Sequence, residues 1–329
     1  MIEPHPTTSA SALPVRHRLV TRQFFVYRIS VETITKDKLL VILGPTASGK
    51  SALAVDLALE FDGEVISADS RQVYRGLDIG SGKVTEEEMR GVFHHLLDVS
   101  DLNEIFTVAD FKEQANLAIK NIISRNKLPI LVGGTGFYIQ AVVDDLSLPD
   151  VPPDESLRLE LETYPTIDLV ELLRTIDPDR ASTIDLHNRP RLIRAIEVAK
   201  ALGKVPPLPE ANSLYDLLQL GLYVSPPELF KKIHNRLQVR AKNGLIEEVK
   251  KLKDEGINSE RLEDLGLEYR YVSEYLDGKF SRDTMLAELE QAIRQYAKRQ
   301  MTWFKRDNRI KWITEPEQAY PLMRKFLSF

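Results

Sequence analysis

Leu39-Leu-Val-Ile-Leu43 runs directly into Gly44-Pro45-Thr46-Ala47-Ser48-Gly49-Lys50-Ser51, and a helical pattern follows from Ala52 to Glu60. The eight residues satisfy G-x-x-x-x-G-K-[ST] in full, in the strand–loop–helix context that the motif requires. Glycines let such a loop curl until its backbone N–H groups converge on phosphate oxygens, and the following helix adds the positive end of its dipole. Lys50 supplies a point charge, and Ser51 is a candidate ligand for a magnesium ion that also touches the phosphates. The alternative is a tight glycine-rich turn that holds no ligand.

Outward from the loop, apolar runs at 39–43, 65–67 and 129–132 alternate with helical stretches, the pattern of a buried parallel sheet. The expected fold is therefore α/β: a P-loop NTPase-like core with a parallel sheet flanked by helices. Residues 1–35 read as a mobile extension, with Phe24–Tyr27 a candidate edge strand. Residues 36–147 form the first part of the core. From Leu148 the texture changes to a Pro-rich linker and leucine-rich helical periodicity broken at Pro165 and Pro178. A small helical insertion over 148–188 follows, then the rest of the core over 189–329, with amphipathic helices at 188–201, 227–243 and 286–304.

A chain of 329 residues, 43% hydrophobic and 28% charged, suffices for one large core and a smaller unit. It has no apolar run of the roughly 20 residues that span a bilayer, and no secretory leader pattern, so a cytoplasmic location and no membrane partner are expected. Without cysteine, disulfides and the usual zinc ligands are excluded, and a catalytic metal would be held by oxygens, for which magnesium is the natural choice. The net charge of −5 argues against nonspecific nucleic-acid binding over the whole surface. Yet Arg294, Lys298, Arg299, Lys305, Arg306, Arg309 and Lys311 stand close together, opposed by Asp307 alone. One cationic element sits on an acidic protein.

The loop alone does not say which phosphates it holds: nucleotide kinases, ATPases, GTPases and non-nucleotide transferases share it. A nucleotide hydrolase places an acidic magnesium ligand at the end of a second buried strand. Here that strand runs into Gly133-Gly134-Thr135-Gly136-Phe-Tyr, glycines that suit close approach of backbone to a ligand or simple packing. The strand at 64–67 ends in Ala68-Asp69-Ser70-Arg71-Gln72, which puts a carboxylate at the edge where α/β sheets bind ligands. Asp69 is the candidate general base, though an Asp after a strand serves equally as a helix cap.

GPTASGKS, SADSRQVYRGLDIGSGK, HHLLDV, LVGGTGFYIQAV, RLIRAIEV and IRQYAKRQMTWF, in that order from about Lys38 to about Arg306, resemble the bacterial tRNA dimethylallyltransferases, also called tRNA isopentenyltransferases. The resemblance implies a prenyltransferase. It would move the dimethylallyl group of dimethylallyl diphosphate to N6 of the adenosine 3′-adjacent to the anticodon, in tRNAs reading codons that begin with U. It makes the loop from Gly44 to Ser51 the diphosphate cradle with Mg2+ as cofactor, and Asp69 the acceptor of the amine proton. By the same resemblance, Thr135 would lie near the substrate and Arg236 would reach the diphosphate. It places RNA contacts at Asp69, Ser70, Arg71 and Gln72, at Pro190, Arg191, Leu192, Ile193 and Arg194, and at Ile293, Arg294, Gln295, Tyr296, Ala297, Lys298, Arg299 and Gln300. The insertion faces the tRNA, and the protein is expected to act as a monomer. At Gly266-Leu-Glu-Tyr-Arg270 and at Ile293 the chain departs from the family pattern. The rival readings are a P-loop small-molecule or nucleotide kinase that binds ATP in the same cradle, and an RNA-binding module without transfer chemistry.

Overall fold

The protein is described from a computed structural model, over residues 36–207 and 212–328; the candidate edge strand at 24–27 lies outside them. Strand β1 (Lys38–Leu43) carries the decisive apolar run, and its side chains divide by the two-residue period of a strand. Leu39, Val41 and Leu43 join one core cluster, while Leu40 and Ile42 join a second. Burial of both faces is why the run is continuously apolar rather than alternating.

Helix α1 (Lys50–Glu60) leads to β2 (Gly63–Ala68), a short α2 (Glu86–Met89), β3 (His94–His95), α3 (Val108–Ser124), β4 (Leu128–Gly133) and α4 (Gly136–Val143). After an excursion the chain returns as β5 (Asp216–Leu222) and later β6 (Lys311–Ile313). The six strands among the described residues are all parallel, in the order β3-β2-β4-β1-β5-β6. Three of them, β1, β2 and β4, match the apolar runs read from the sequence; β3, β5 and β6 do not. The β5 segment DLLQLGL is rich in leucine and lacks β-branched residues, so neither period nor propensity marks it as a strand. β3 and β6, with two and three residues, exist only as edges laid on longer neighbours.

The excursion is helical: α5 (Glu155–Glu162), α6 (Thr166–Ile176), α7 (Pro178–Thr183) and α8 (Arg189–Leu202). Pro165 and Pro178 begin α6 and α7, where a missing N–H costs nothing. α8 supplies Leu192, Ile193, Ile196 and Ala199 to the same small core as Leu161, Leu169 and Leu173, and Val205 packs on it. α5 to α7 are too short to bury one another without the apolar stripe of α8. Buried Glu197 of α8 fastens the start of the unit: it accepts from the Asp154 N–H at 2.7 Å and from Arg158 at 3.0 Å, and pairs with Arg194.

After β5 come α9 (Pro226–Lys242), α10 (Leu245–Asp254), α11 (Ser259–Asp264), α12 (Leu267–Leu276) and the long α13 (Arg282–Phe304). Together with Val73, Tyr74 and Leu77 from the connection after β2, they enclose a third core. A 3-10 turn (Pro316–Gln318) and α14 (Ala319–Leu327) close the chain, α14 packing on the α1 face of the sheet. No described helix is long and apolar enough to cross a membrane.

Candidate active site

The carboxyl ends of three neighbouring strands are level: Leu43 of β1 pairs with Gly133 of β4, and Gly133 pairs with Ala68 of β2. The phosphate loop, the Gly133–Gly136 turn and the Asp69 loop therefore start side by side, the first and last two strand spacings or about 10 Å apart. This edge is where an open α/β sheet presents a ligand site.

The loop between β1 and α1 has the backbone that the motif implies. Gly49 sits at φ 95°, a left-handed conformation, as the N-cap of α1, and Ala47 lies at φ 63° without the licence of a glycine. Lys50 folds toward the Pro45 carbonyl at 3.4 Å. Its pKa falls to about 8, first because it is buried and then because Arg236 repels it. Arg236, on α9, donates to the Thr46 hydroxyl and is itself lowered to about 10 by burial and by Arg240 one turn away. Three cations thus share one partly buried space.

Arg240, which the sequence reading did not single out, donates to the Gly80 carbonyl at 3.2 Å and pairs with Glu268 at 3.3 Å. Its guanidinium fills the place that a Cβ on Gly82 would take. The same connection is held from α10, where Glu248 accepts from the N–H groups of Asp78, Ile79 and Gly80 at 3.1, 2.7 and 2.9 Å. Buried Tyr269 donates to Glu248 at 3.0 Å and accepts from the Ser81 N–H at 3.0 Å, and burial pushes its phenol well up. Glu268 and Tyr269 open α12, in the Gly266–Arg270 stretch, and both help to frame the loop. Lys83 is a frame residue too, tied to the Tyr74 carbonyl and to Asp78.

Asp69 accepts from the Arg71 N–H at 2.9 Å, an Asx turn that leaves its second oxygen free of hydrogen bonds among the described residues. Thr135 accepts from the Ser70 N–H at 3.1 Å, joining the glycine turn to the Asp69 loop. Gly133 approaches so closely that a Cβ would overlap the Ala68 carbonyl. Gln72 spends its amide inside the protein, accepting from Ser67 at 2.9 Å and donating to the Gly82 carbonyl at 3.1 Å. The Tyr296 phenol is raised to about 12, first by burial and then by the charge of Asp69.

Several residues expected to touch RNA point elsewhere. On α13, Ile293, Ala297 and Gln300 are buried on the inward face, because positions four and three apart on a helix share a side. Arg294, Gln295, Lys298 and Arg299 lie outward or along the rim. Arg294 pairs with Glu290 and lies over the Phe230 ring with Lys298, lining a groove of about 460 Å³. On α8, Leu192 and Ile193 are core residues, whereas Pro190 and Arg191 are exposed. Arg194 is held by Glu197 and donates to the Val151 carbonyl at 2.8 Å.

Among the described residues, no cluster of three or more His, Cys, Asp or Glu side chains could hold a metal. The exposed Ser51 hydroxyl at the first turn of α1 does fit magnesium, which takes few protein ligands when a substrate's phosphate oxygens and water complete its octahedron.

The IPP transferase family model matches residues 72–307, which begins downstream of the phosphate loop and so is independent of that motif. The chain belongs to the IPP transferase family. It is 42% identical over 287 residues to the tRNA dimethylallyltransferase of Halalkalibacterium halodurans, covering 84% of this chain and 91% of that one. It is 44% identical over 301 residues to tRNA dimethylallyltransferase 2 of Syntrophotalea carbinolica, covering 88% and 99%. Its structure is similar to that of the tRNA isopentenylpyrophosphate transferase of Bacillus halodurans, with a TM-score of 0.67 at 39% identity over 89% and 96% of the two chains. It is also similar to a eukaryotic dimethylallyltransferase acting on tRNA, with a TM-score of 0.76 at 27% identity over 89% and 80%.

Proposed function

We propose that this IPP transferase is a tRNA dimethylallyltransferase: it moves the dimethylallyl group of dimethylallyl diphosphate to N6 of the adenosine 3′-adjacent to the anticodon, in tRNAs reading codons that begin with U. The observation that carries the reading is the cradle itself. Around the Gly44–Ser51 loop, burial and then Arg236 lower the proton affinity of Lys50, and burial and then Arg240 lower that of Arg236, with Asp69 on the same sheet edge. Mutual repulsion of that kind is relieved by a multiply charged anion.

The N6 lone pair forms a bond to C1 of the allyl group as the bond from C1 to the diphosphate oxygen breaks. The electron pair leaves with diphosphate, where Lys50, Arg236 and the N–H groups at the start of α1 meet the developing charge. The proton lost from N6 goes to the free oxygen of Asp69, which helps most late in the step, when the amine has become acidic. Magnesium at Ser51 would neutralise part of the diphosphate charge. Thr135 holds the Ser70 backbone and so sets where Asp69 stands. The target base must leave its stack to reach Asp69. Arg71 and Tyr296 would flank it, and Arg191, Lys298 and Arg299 would hold backbone phosphates. A monomer in the cytoplasm is the simplest working form.

A kinase would share the cradle but not the glycine turn, which stands where the strand-end acid of a nucleotide hydrolase would be. The test incubates the protein with magnesium, labelled dimethylallyl diphosphate and unmodified tRNAs of different anticodons, followed by digestion to nucleosides. Label in N6-dimethylallyladenosine, reduced about 10²- to 10⁴-fold by Asp69→Asn, is the expected result. No labelled nucleoside from any tRNA, with phosphate transferred from ATP instead, would overturn it.

A further inference from the structure

Gln300 is only 7% exposed, and its amide joins the phosphate loop to the glycine turn beyond the last paired residues of β1 and β4. Its Oε1 accepts from the Thr46 N–H at 2.8 Å, and its Nε2 donates to the Gly134 carbonyl at 2.9 Å. A primary amide offers one acceptor and one donor on a common carbon; a carboxylate of the same length would set a negative oxygen against the Gly134 carbonyl. The Thr46 N–H is consequently committed to the protein rather than to a phosphate. Thr46 takes the Arg236 donor on its hydroxyl, and Gly134 precedes Thr135, which holds the Ser70 backbone beside Asp69. A continuous run of contacts therefore leads from Arg236 through Thr46, Gln300 and the glycine turn to the Asp69 loop. Gly134 has no positive φ, yet a Cβ there would overlap the Gln300 amide nitrogen. The glycine keeps room for that amide.

We propose that Gln300 is a positioning residue, not an RNA contact: it sets the separation and tilt of the diphosphate cradle relative to Asp69. The inference rests on the transferase reading above. Its consequence is selective. Loss of the joint should misplace the donor and leave the outer face of α13 intact, because Lys298 and Arg299 point away from the sheet on the same helix.

The experiment uses the full chain with Gln300→Ala, Gly134→Ala and the double variant, measuring steady-state transfer with varied dimethylallyl diphosphate and, separately, the tRNA Kd. Each single variant should lower kcat/KM for the donor by about ten- to a hundredfold, the size expected for two partly buried hydrogen bonds, with tRNA Kd within about twofold of the parent. Because alanine at 300 removes the group that a Cβ on residue 134 strikes, the double variant should be no worse than Gln300→Ala alone. Should Gln300→Ala melt below the assay temperature, Gln300→Met keeps the side-chain volume and carries the same expectations for donor kinetics and tRNA Kd, but not for the double variant, whose Cβ at residue 134 would still meet a long side chain. A tenfold rise in tRNA Kd with unchanged donor kinetics would make Gln300 an RNA contact and overturn the proposal, as would unchanged kinetics throughout, equal losses on both substrates, or single effects that multiply. Failure of the parent protein to transfer at all would instead count against the transferase reading.

Discussion

Lys50 makes the charge of the cradle measurable. A lysine whose pKa is held at about 8, against an ordinary 10.5, is disfavoured in its charged form. The folded protein bears that cost below about pH 8, and it is relieved as pH rises toward 10.5. A bound diphosphate reverses the balance, because its charge favours the ammonium and outweighs the repulsion from Arg236. If binding restores the ordinary pKa, donor affinity varies as the protonated fraction of Lys50 in the free protein and falls about tenfold between pH 7 and pH 9. About 0.9 proton should be taken up per donor bound at pH 9 and about 0.1 at pH 7. Calorimetric titration with a thiolodiphosphate analogue of dimethylallyl diphosphate, in two buffers of different ionisation enthalpy, reads both quantities. The analogue's terminal phosphate, like other phosphomonoesters, has lost its last proton well below pH 8. Arg236→Leu removes the second cause of the depression, so its affinity should break at higher pH, though from a weaker starting value. Affinity that stays flat from pH 7 to 9, with no proton uptake, would refute the argument that Lys50 is desolvated and repelled in the free cradle.

Two further outcomes follow from named contacts. Glu64 is buried on β2, where Arg125 donates to both its oxygens at 2.5 and 2.7 Å and the His95 ring lies at 2.8 Å; the hydrogen bond from Arg125, then that from His95, hold its pKa near 2. That stability is present above the ordinary glutamate pKa and is lost as pH falls toward 2, so Glu64→Gln should cost on the order of 2 to 3 kcal/mol at pH 7 and roughly 40% of that at pH 3. Urea melts of both proteins at the two pH values decide this, and a difference independent of pH would contradict it. Arg191, Lys298 and Arg299 are exposed and make no ion pair among the described residues. Replacing any one by Ala should weaken tRNA binding similarly across anticodons and flatten the log–log salt dependence by about 0.7 to 0.9, as for one phosphate contact. An unchanged slope for all three would remove α8 and α13 from the RNA surface.

The sequence alone determined the central strand, the phosphate loop and the strand-end carboxylate, because each is a local pattern. An apolar run entering G-x-x-x-x-G-K-S needs no knowledge of distant residues, and neither does an Asp that ends a buried run. The helices after Leu148 were legible from prolines and leucines, but not that α8 shares their core, since its apolar stripe would suit either side until it packs. β5 escaped notice because leucine does not distinguish strand from helix, and β6 because three residues become a strand only against a partner. Only the tertiary structure sorted 293–300 into an inward and an outward face and turned Gln300 toward the cradle. It alone brought Arg240, Glu248 and Tyr269 onto the loop before Thr85 from more than 150 residues away. A side chain's chemistry is written in the sequence, but its partner is whatever group folding leaves within about 3 Å of it, and hydrogen bonds and ion pairs are decided at that distance.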